Sequence, residues 1–229
     1  MHPRIRLARD IIACEADAVR AVADRLDDDF VQAAEEILRL RGRVVTAGMG
    51  KAGIIAQKLS ATLASTGTPS SYLHPAEAIH GDLGRVSEGA LLLALSKSGE
   101  TEEVLRLLGP VKAASVRIVA MTQSRESSLA RHADLVLELG KIEEAGSLAL
   151  APSASTTAML ALGDALALVV QEGREFGPED FAKYHPGGDL GRRLMRVGEL
   201  MRSGENNPVV QRGEPVLAAL RIMPRPPGR

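Results

Sequence analysis

Apolar residues follow two different spacings along this chain, one typical of helices and one typical of buried strands. From Ala8 to Leu40 they recur at helical spacing, and the acidic run Asp27-Asp28-Asp29 divides this segment into two predicted helices. Asp29 is the expected cap of the second helix, which should end at Arg41-Gly42. The pattern therefore predicts a helical segment ahead of the first strand.

Five short apolar or β-prone runs follow, with helical segments between them. The predicted strands are Val44–Ala47, Ser70–Leu73, Ala90–Leu95, Val116–Met121 and Asp134–Leu139. Strands that alternate with helices are typical of a parallel sheet covered on both faces, so we predict a three-layer α/β sandwich with a five-stranded parallel sheet. The alanines and leucines of Ala158–Val170 predict a nearly buried helix after the last strand.

Candidate chemistry begins at the loop after the third predicted strand, Ser96-Lys97-Ser98-Gly99-Glu100-Thr101. The first N–H groups of a helix are free, and with the helix dipole they form an anion site. Ser96, Ser98 and Thr101 would add hydroxyl donors, and Gly99 permits a close approach of the backbone. The alternative is that one hydroxyl only caps the helix and the glycine only marks the turn.

A second turn of this kind follows the first predicted strand. Gly48, Gly50 and Gly53 spell G-x-G-x-x-G, a spacing found in dinucleotide-binding folds. The acidic residue expected after the next strand is absent, because that strand runs into His74-Pro75. Lys51 within the turn is better suited to an anionic sugar than to a pyrophosphate.

Two further stretches carry polar groups at the same predicted edge. His74 and His80 lie near acidic residues, but their separation does not place them on one helical face, and a substrate-binding role is favoured over a structural metal site. Ser153 and Ser155 belong to a hydroxyl-rich loop before the apolar helix, where they cap the helix or contact substrate. Glu144 follows the fifth predicted strand.

Composition argues against several classes of function. The 229 residues carry a formal net charge of −1, and aromatic residues make up 2%, so we predict no nucleic-acid partner. The single cysteine, Cys14, has no partner for an internal disulfide, which agrees with a reducing compartment. Charged residues interrupt the N-terminal segment, and no membrane-spanning stretch is expected. These features predict a cytoplasmic protein without a membrane partner.

Several motifs together resemble the D-arabinose 5-phosphate isomerases, members of the sugar-isomerase (SIS) domain family. The Ser96 loop itself resembles the phosphosugar loop of SIS domains. The more specific motifs are Gly48-Met49-Gly50-Lys51, Thr66-Gly67-Thr68-Pro69, His74-Pro75-Ala76-Glu77, His80-Gly81-Asp82-Leu83-Gly84, Leu150-Ala151-Pro152 and His185-Pro186-Gly187-Gly188. The resemblance implies a flavodoxin-like sheet and an aldose-ketose isomerase that interconverts ribulose 5-phosphate and arabinose 5-phosphate.

The resemblance also implies site residues. Those tied to catalysis match Lys51, Glu103, Glu144 and His185. Those expected to bind substrate are Gly50, Gly67, Thr68, His74, His80, Ser96, Ser98, Gly99, Thr101, Ser153 and Ser155. His74 is in addition the expected position of an inhibitory zinc ion. No cofactor is expected, and the predicted assembly is a homo-oligomer, with a tetramer as its expected form and His185 reaching a neighbouring subunit.

We predict that residues 1–194 form the isomerase domain and residues 195–229 a truncated CBS-like remnant with a tail. In the predicted pathway the enzyme supplies the Kdo sugar of lipopolysaccharide. Two alternatives stay open: an SIS isomerase for a hexulose or sedoheptulose phosphate, and a phosphosugar-sensing regulator without catalysis. The regulator is disfavoured because the first 40 residues show no basic recognition helix.

Overall fold

The computed structural model describes residues 1–184, 198, 201 and 209–222. The chain divides into two compact units, Met1–Phe181 and Ala182–Arg229. The first unit contains a parallel sheet and the helices that pack on it, and the described part of the second unit contains a short helix. A domain boundary near residue 194 and the CBS-like remnant stay predictions, since much of that segment lies outside the described residues.

Strands and helices alternate through the first unit. The strands are β1 (Val44–Gly48), β2 (Ser70–Leu73), β3 (Leu91–Leu95), β4 (Arg117–Thr122) and β5 (Leu135–Glu138). The helices are α1 (Pro3–Ala23), α2 (Asp28–Arg39), α3 (Gly50–Ser65), α4 (Pro75–Ala78), α5 (Glu102–Ala113), α6 (Ser128–His132), α7 (Ala154–Gly173) and α8 (Pro178–Tyr184), with a 3-10 helix at Asp82–Arg85 and α9 (Val216–Ile222) in the second unit. Every predicted strand is confirmed.

The sheet is parallel throughout, with the strand order β2-β1-β3-β4-β5. This is the predicted flavodoxin-like order. Val44 of β1 pairs with Ser70 of β2 on one side and with Leu91 of β3 on the other. β2 and β3 thus lie on opposite sides of β1, so the direction in which successive strands are added reverses at β1. Ligands in such sheets bind beyond the carboxyl ends of the strands at this point.

Alternate residues of β3 supply two separate cores, as the period of a strand requires. Leu91, Leu93 and Leu95 belong to a cluster with residues of α1, α2, α3 and α7. Leu92 and Ala94 belong to a second cluster with residues of α5. Helices therefore cover both faces, and the predicted three-layer sandwich is confirmed.

Helix α7 is longer than its predicted core of Ala158–Val170, and one expectation about it is wrong. It is long and apolar enough to cross a membrane, whereas the sequence was expected to contain no such stretch. Half of its apolar window is buried inside the fold, and α7 packs against α1, α2 and α3. A core helix passes the same test of length and composition, so this helix is weak evidence for a membrane span.

The predicted cap of α2 is also wrong. Asp27, in extended conformation, accepts a hydrogen bond from the backbone N–H of Asp29 at 3.1 Å and so caps the helix. Asp29 instead accepts from Arg125 at 2.8 Å and from the backbone N–H of Val136 at 3.1 Å. Arg125 also donates to Asp27, so the contact that distinguishes Asp29 from the capping residue is the one with the backbone N–H of Val136 in β5.

Two leucines of α7 provide a test of its role as a core helix. Leu166 is 1% exposed and Leu168 is 54% exposed. We expect Leu166→Ala to lower the free energy of unfolding by about 2–5 kcal/mol, because it leaves a cavity, and Leu168→Ala by far less. Urea unfolding of the two variants measures both values. Equal losses would contradict the packing described for α7.

Candidate functional site

A cavity of about 260 Å³ lies at the carboxyl ends of β1 and β3, where the strand order reverses. The turn into α3, the loop into α5 and the start of α7 all contribute to its wall. Its lining residues are Met49, Lys51, Ala52, Ser96, Lys97, Ser98, Thr101, Pro152, Ser155, Thr156 and Met159. Hydroxyls and two lysines therefore meet a small apolar surface, a combination suited to a small polar anion.

The turn from β1 into α3 brings Lys51 to this cavity. Gly50 has a φ of +54°, a left-handed conformation that favours glycine. The Tyr72 hydroxyl donates to the carbonyl of Gly48 at 2.9 Å and fixes the strand end from β2. Met49, the N-cap residue of α3, makes no side-chain capping hydrogen bond. The exposed Lys51 side chain thus lies beside the first backbone N–H groups of α3, which the N-cap side chain leaves free.

The loop from β3 into α5 is shaped by its own hydroxyls. The buried Ser96 hydroxyl lies 2.8 Å from the Thr101 hydroxyl and accepts from the backbone N–H of Gly99 at 3.1 Å. The Ser98 hydroxyl accepts from the backbone N–H of Glu100 at 3.1 Å, and Ser98 is exposed. Thr101 precedes α5 without capping it by its side chain. Ser96 therefore holds the loop, while Ser98 and the start of α5 are available to a ligand.

Gly99 is required by the close packing of this loop. Its φ is +70°, and its carbonyl accepts from the backbone N–H of Leu129 at 2.9 Å. A Cβ atom at this position would overlap the side chain of Ser127. Gly99 is predicted to let the backbone come close to a ligand. Its missing side chain also lets this loop pack closely against Ser127 of the protein itself.

Glu144 lies behind the cavity wall, with its side chain 4% exposed. One carboxylate oxygen, Oε1, accepts from Lys97 Nζ at 2.7 Å and from the Ser155 hydroxyl at 2.5 Å. The other, Oε2, accepts from the backbone N–H groups of Ser153 at 2.9 Å and Ser155 at 3.2 Å. The carboxylate therefore occupies the N-terminus of α7, where the helix dipole also favours a negative charge.

These contacts decide the ionisation of Glu144. Burial alone would raise the pKa of its carboxyl, but the hydrogen bonds from Lys97, Ser155 and Ser153 outweigh burial and lower the pKa from 4.5 to about 2. A carboxylate has about four lone-pair sites, and here four donors approach it closely. Glu144 is therefore an anion at neutral pH whose acceptor sites the protein itself has filled.

The structure brings some of the expected site residues together and places others apart. Lys51, Ser96, Ser98, Thr101 and Ser155 line the cavity. Gly50 and Gly99 lie in the turns that form it, and Glu144 and Ser153 lie behind its wall. Glu103, in the first turn of α5, is half-buried and outside the lining. His185 lies outside the described residues, so its role stays a prediction.

Gly67 and Thr68 lie away from the cavity, before β2 and therefore at the amino ends of the strands. Thr68 is buried, and its hydroxyl accepts from Arg174 at 3.0 Å. Gly67 has a φ of +89° and packs so closely on Phe176 that a Cβ atom would meet its ring. These contacts give both residues a structural role within the fold, and their contact with substrate stays a prediction.

The two histidines differ in their surroundings. His74 follows β2 at the carboxyl edge of the sheet, next to Tyr72, with the ring centroids 6.4 Å apart. Within the described residues its Nδ1 is buried without a hydrogen-bond partner, and His80 is exposed. The described part of the chain contains no group of three His, Cys, Asp or Glu side chains that could hold a metal ion. Zinc binding at His74 therefore stays a prediction, and the described residues offer no group of further ligands for the ion.

Sequence reasoning assigned no role to Lys97, although its side chain reaches both the cavity and Glu144. Only its position inside a hydroxyl-rich loop at a predicted helix start could have drawn attention to it. Nothing in the sequence shows that its partner lies 47 positions further on. Thr156 belongs to the same hydroxyl-rich loop as Ser153 and Ser155, for which the sequence leaves capping and substrate contact open, and it also lines the cavity.

Comparison with known proteins shows which family the chain resembles. The SIS domain matches residues 37–169. The arabinose 5-phosphate isomerase KdsD of Pseudomonas aeruginosa is 48% identical over 222 residues, which cover 96% of this chain and 68% of the relative. The arabinose 5-phosphate isomerase KpsF of Escherichia coli is 46% identical over 200 residues, covering 86% of this chain and 61% of the relative.

A solved structure matches the fold and the sequence together. An Escherichia coli CFT073 protein in complex with arabinose 5-phosphate superimposes with a TM-score of 0.78 at 42% identity, covering 81% of this chain and all of that one. The curated relatives are longer than this chain, which spans about two thirds of their length. By its SIS domain and these relatives, the chain belongs to the arabinose 5-phosphate isomerase family of SIS-domain proteins.

Proposed function

We propose that this protein is an aldose-ketose isomerase that interconverts D-ribulose 5-phosphate and D-arabinose 5-phosphate. The observation that carries the proposal is the cavity in which Lys51, the Ser96–Thr101 loop and the uncapped starts of α3 and α5 meet. Relatives that share 46–48% of the aligned residues carry the name of this activity. Free N–H groups and cations at one edge are suited to a phosphate dianion.

The phosphate is assigned to the loop into α5, because its backbone and the exposed Ser98 hydroxyl offer donors without a buried countercharge. Isomerisation then moves a proton between C1 and C2 of the sugar. A base removes the C1 proton of ribulose 5-phosphate, the electron pair forms the enediolate, and a proton returns to C2 to give the aldose. Lys51 stabilises the oxygen on which negative charge develops.

The contacts of Glu144 bear on which group transfers the proton. A base works best when its pKa lies near the working pH, and the pKa of Glu144 is about 2 with its acceptor sites filled. Of the two expected candidates, Glu144 and His185, we therefore assign proton transfer to His185. Glu103 is assigned to the remaining proton movements of the hydroxyls or of ring opening.

The direct test is to incubate the purified protein with ribulose 5-phosphate and to follow arabinose 5-phosphate by carbon NMR. Formation of the aldose without an added cofactor or metal supports the proposal. Conversion of a hexulose or sedoheptulose phosphate instead would reassign the substrate within the SIS isomerases. Binding of sugar phosphate without turnover would favour the phosphosugar-sensing regulator.

Three further inferences accompany the proposed activity. We infer that the enzyme works in the cytoplasm, that its product feeds Kdo and lipopolysaccharide synthesis, and that it assembles as a homotetramer. The names KdsD and KpsF of the relatives support the second inference. The first rests on the single cysteine, which agrees with a reducing compartment. An oligomer would allow the expected contribution of His185 to a neighbouring subunit.

The phosphate assignment predicts a binding defect in Ser98→Ala. Because a phosphate contact persists from the ground state to the transition state, we expect KM to rise severalfold with kcat nearly unchanged. Ser124→Ala is the matched control: its hydroxyl accepts from the N–H of Glu126 at 3.1 Å, as Ser98 accepts from Glu100, but it lies outside the cavity lining. Steady-state kinetics that show equal KM values for both variants would refute the assignment.

The role of Lys51 predicts a defect in turnover. Removing one group that stabilises the enediolate should lower kcat about 10²- to 10³-fold in Lys51→Met. Lys112→Met, in the last turn of α5, removes an exposed lysine away from the carboxyl edge and should leave kcat unchanged. Normal turnover of Lys51→Met, with its fold confirmed by circular dichroism, would exclude enediolate stabilisation by this side chain.

The ionised state of Glu144 predicts a pH-dependent stability. Its pKa is lowered on folding, so its contribution is complete above the unfolded value of about 4.5 and is lost as pH falls towards about 2. The contribution at pH 7 is roughly 3 kcal/mol, and Glu144→Gln should remove it. The exposed neighbour Glu143→Gln serves as the control. Urea unfolding should show the Glu144→Gln deficit at pH 7 and a smaller one at pH 3; an equal deficit at both values would contradict this account.

A further inference from the structure

We propose that Lys97 is a substrate-binding residue that contacts the phosphate group, and that Glu144 acts through it as a positioning residue. This inference rests on the proposed function only in naming a sugar phosphate as the ligand. It gives a role to a side chain that the sequence motifs left without one. It also changes the role of Glu144 from proton transfer to the placement of a cation.

The backbone of Lys97 is fixed independently of its side chain. Its carbonyl accepts from the backbone N–H of Gln123 at 3.0 Å and from the Thr122 hydroxyl at 3.2 Å, so the residue is tied to the end of β4. The side chain therefore begins from a defined point at the carboxyl edge. Ordering the lysine side chain itself costs further conformational entropy, which contacts at its other end must offset.

The other end of the side chain is fixed by Glu144. Lys97 Nζ donates to Oε1 at 2.7 Å, and this carboxylate is itself held by Ser153 and Ser155. Because Glu144 is almost fully buried, it has little access to a ligand in the cavity. The ammonium group, by contrast, belongs to a side chain that is 34% exposed and lines the cavity.

An ammonium group has three donors and no acceptor. Within the described residues, Lys97 Nζ has one recorded partner, the Glu144 carboxylate. Two donors thus remain for a ligand beside Ser98 and Thr101, which line the same cavity. A dianionic phosphate provides several acceptors, and a hydrogen bond between two charged groups is stronger than one between neutral groups.

Steady-state kinetics of four variants test the inference. Lys97→Met keeps the length of the side chain without its charge, and we expect KM to rise about tenfold or more with a smaller change in kcat. Lys97→Arg should restore most of the affinity, because it retains the charge. Lys58→Met, which breaks an ion pair with Asp164 outside the cavity, should behave as the unmodified protein. A merely structural role of Lys97 would not produce a KM effect that arginine reverses.

The fourth variant, Glu144→Gln, enters a double-variant cycle that tests whether Glu144 acts through Lys97. It removes the anion that holds the ammonium, so it should raise KM as well. If the two residues act as one unit, adding Lys97→Met to Glu144→Gln should raise KM by less than the product of the single effects. Independent, multiplying effects would overturn the positioning role of Glu144. Because Glu144→Gln is expected to be less stable, circular dichroism first verifies that each variant is folded under the assay conditions.

Calorimetry separates this inference from the proposed activity. Titrations with arabinose 5-phosphate and with inorganic phosphate measure binding whether or not the protein turns substrate over. Weaker binding of both ligands to Lys97→Met supports the phosphate contact even if the unmodified protein fails to isomerise ribulose 5-phosphate, which would refute the activity alone. Unchanged affinity for both ligands would overturn the role of Lys97.

Discussion

A carboxylate inside a protein is costly unless donors replace the water it has lost, and Glu144 meets this constraint where three loops converge. Its four close donors come from the loop after β3 and from the start of α7, while Glu144 itself follows β5. One buried charge thus connects segments that are distant in sequence. The wall of the cavity depends on this connection, because Lys97 and Ser155 belong to both.

The same carboxylate explains where an external anion can bind. Three helices, α3, α5 and α7, begin at the cavity, and each N-terminus attracts negative charge. Glu144 accepts the first N–H groups of α7 and so satisfies that terminus from within. The N-cap residues of α3 and α5, Met49 and Thr101, make no side-chain capping hydrogen bond. These two termini therefore remain for an anionic ligand, and the proposed phosphate site uses that of α5.

The spacing of apolar residues was sufficient to predict the fold, because burial follows the repeat of each helix and strand. Leu91 to Leu95, for example, divide between the two cores as a strand covered on both faces requires. The site was less predictable, since the contact of Glu144 with Lys97 joins positions 47 residues apart. Motifs were ambiguous for another reason. Gly67 and Thr68 belong to a stretch typical of the family, yet they precede β2 and lie at the edge opposite the cavity, where packing explains them.

The charges of the side chains around the cavity decide which kind of ligand it attracts. Lys51 and Lys97 contribute two cations, and Glu144 contributes one anion that lies behind the wall. In the absence of a ligand the anion moderates the repulsion between the two lysines, which would otherwise oppose their placement around one small cavity. In the proposed complex the phosphate dianion contacts Lys97 and the start of α5, while Lys51 stabilises the oxygen on which negative charge develops. The ammonium of Lys97 lies between the phosphate and the buried carboxylate of Glu144 and screens one from the other. Two cations outweigh one anion, so these side chains favour an anionic ligand.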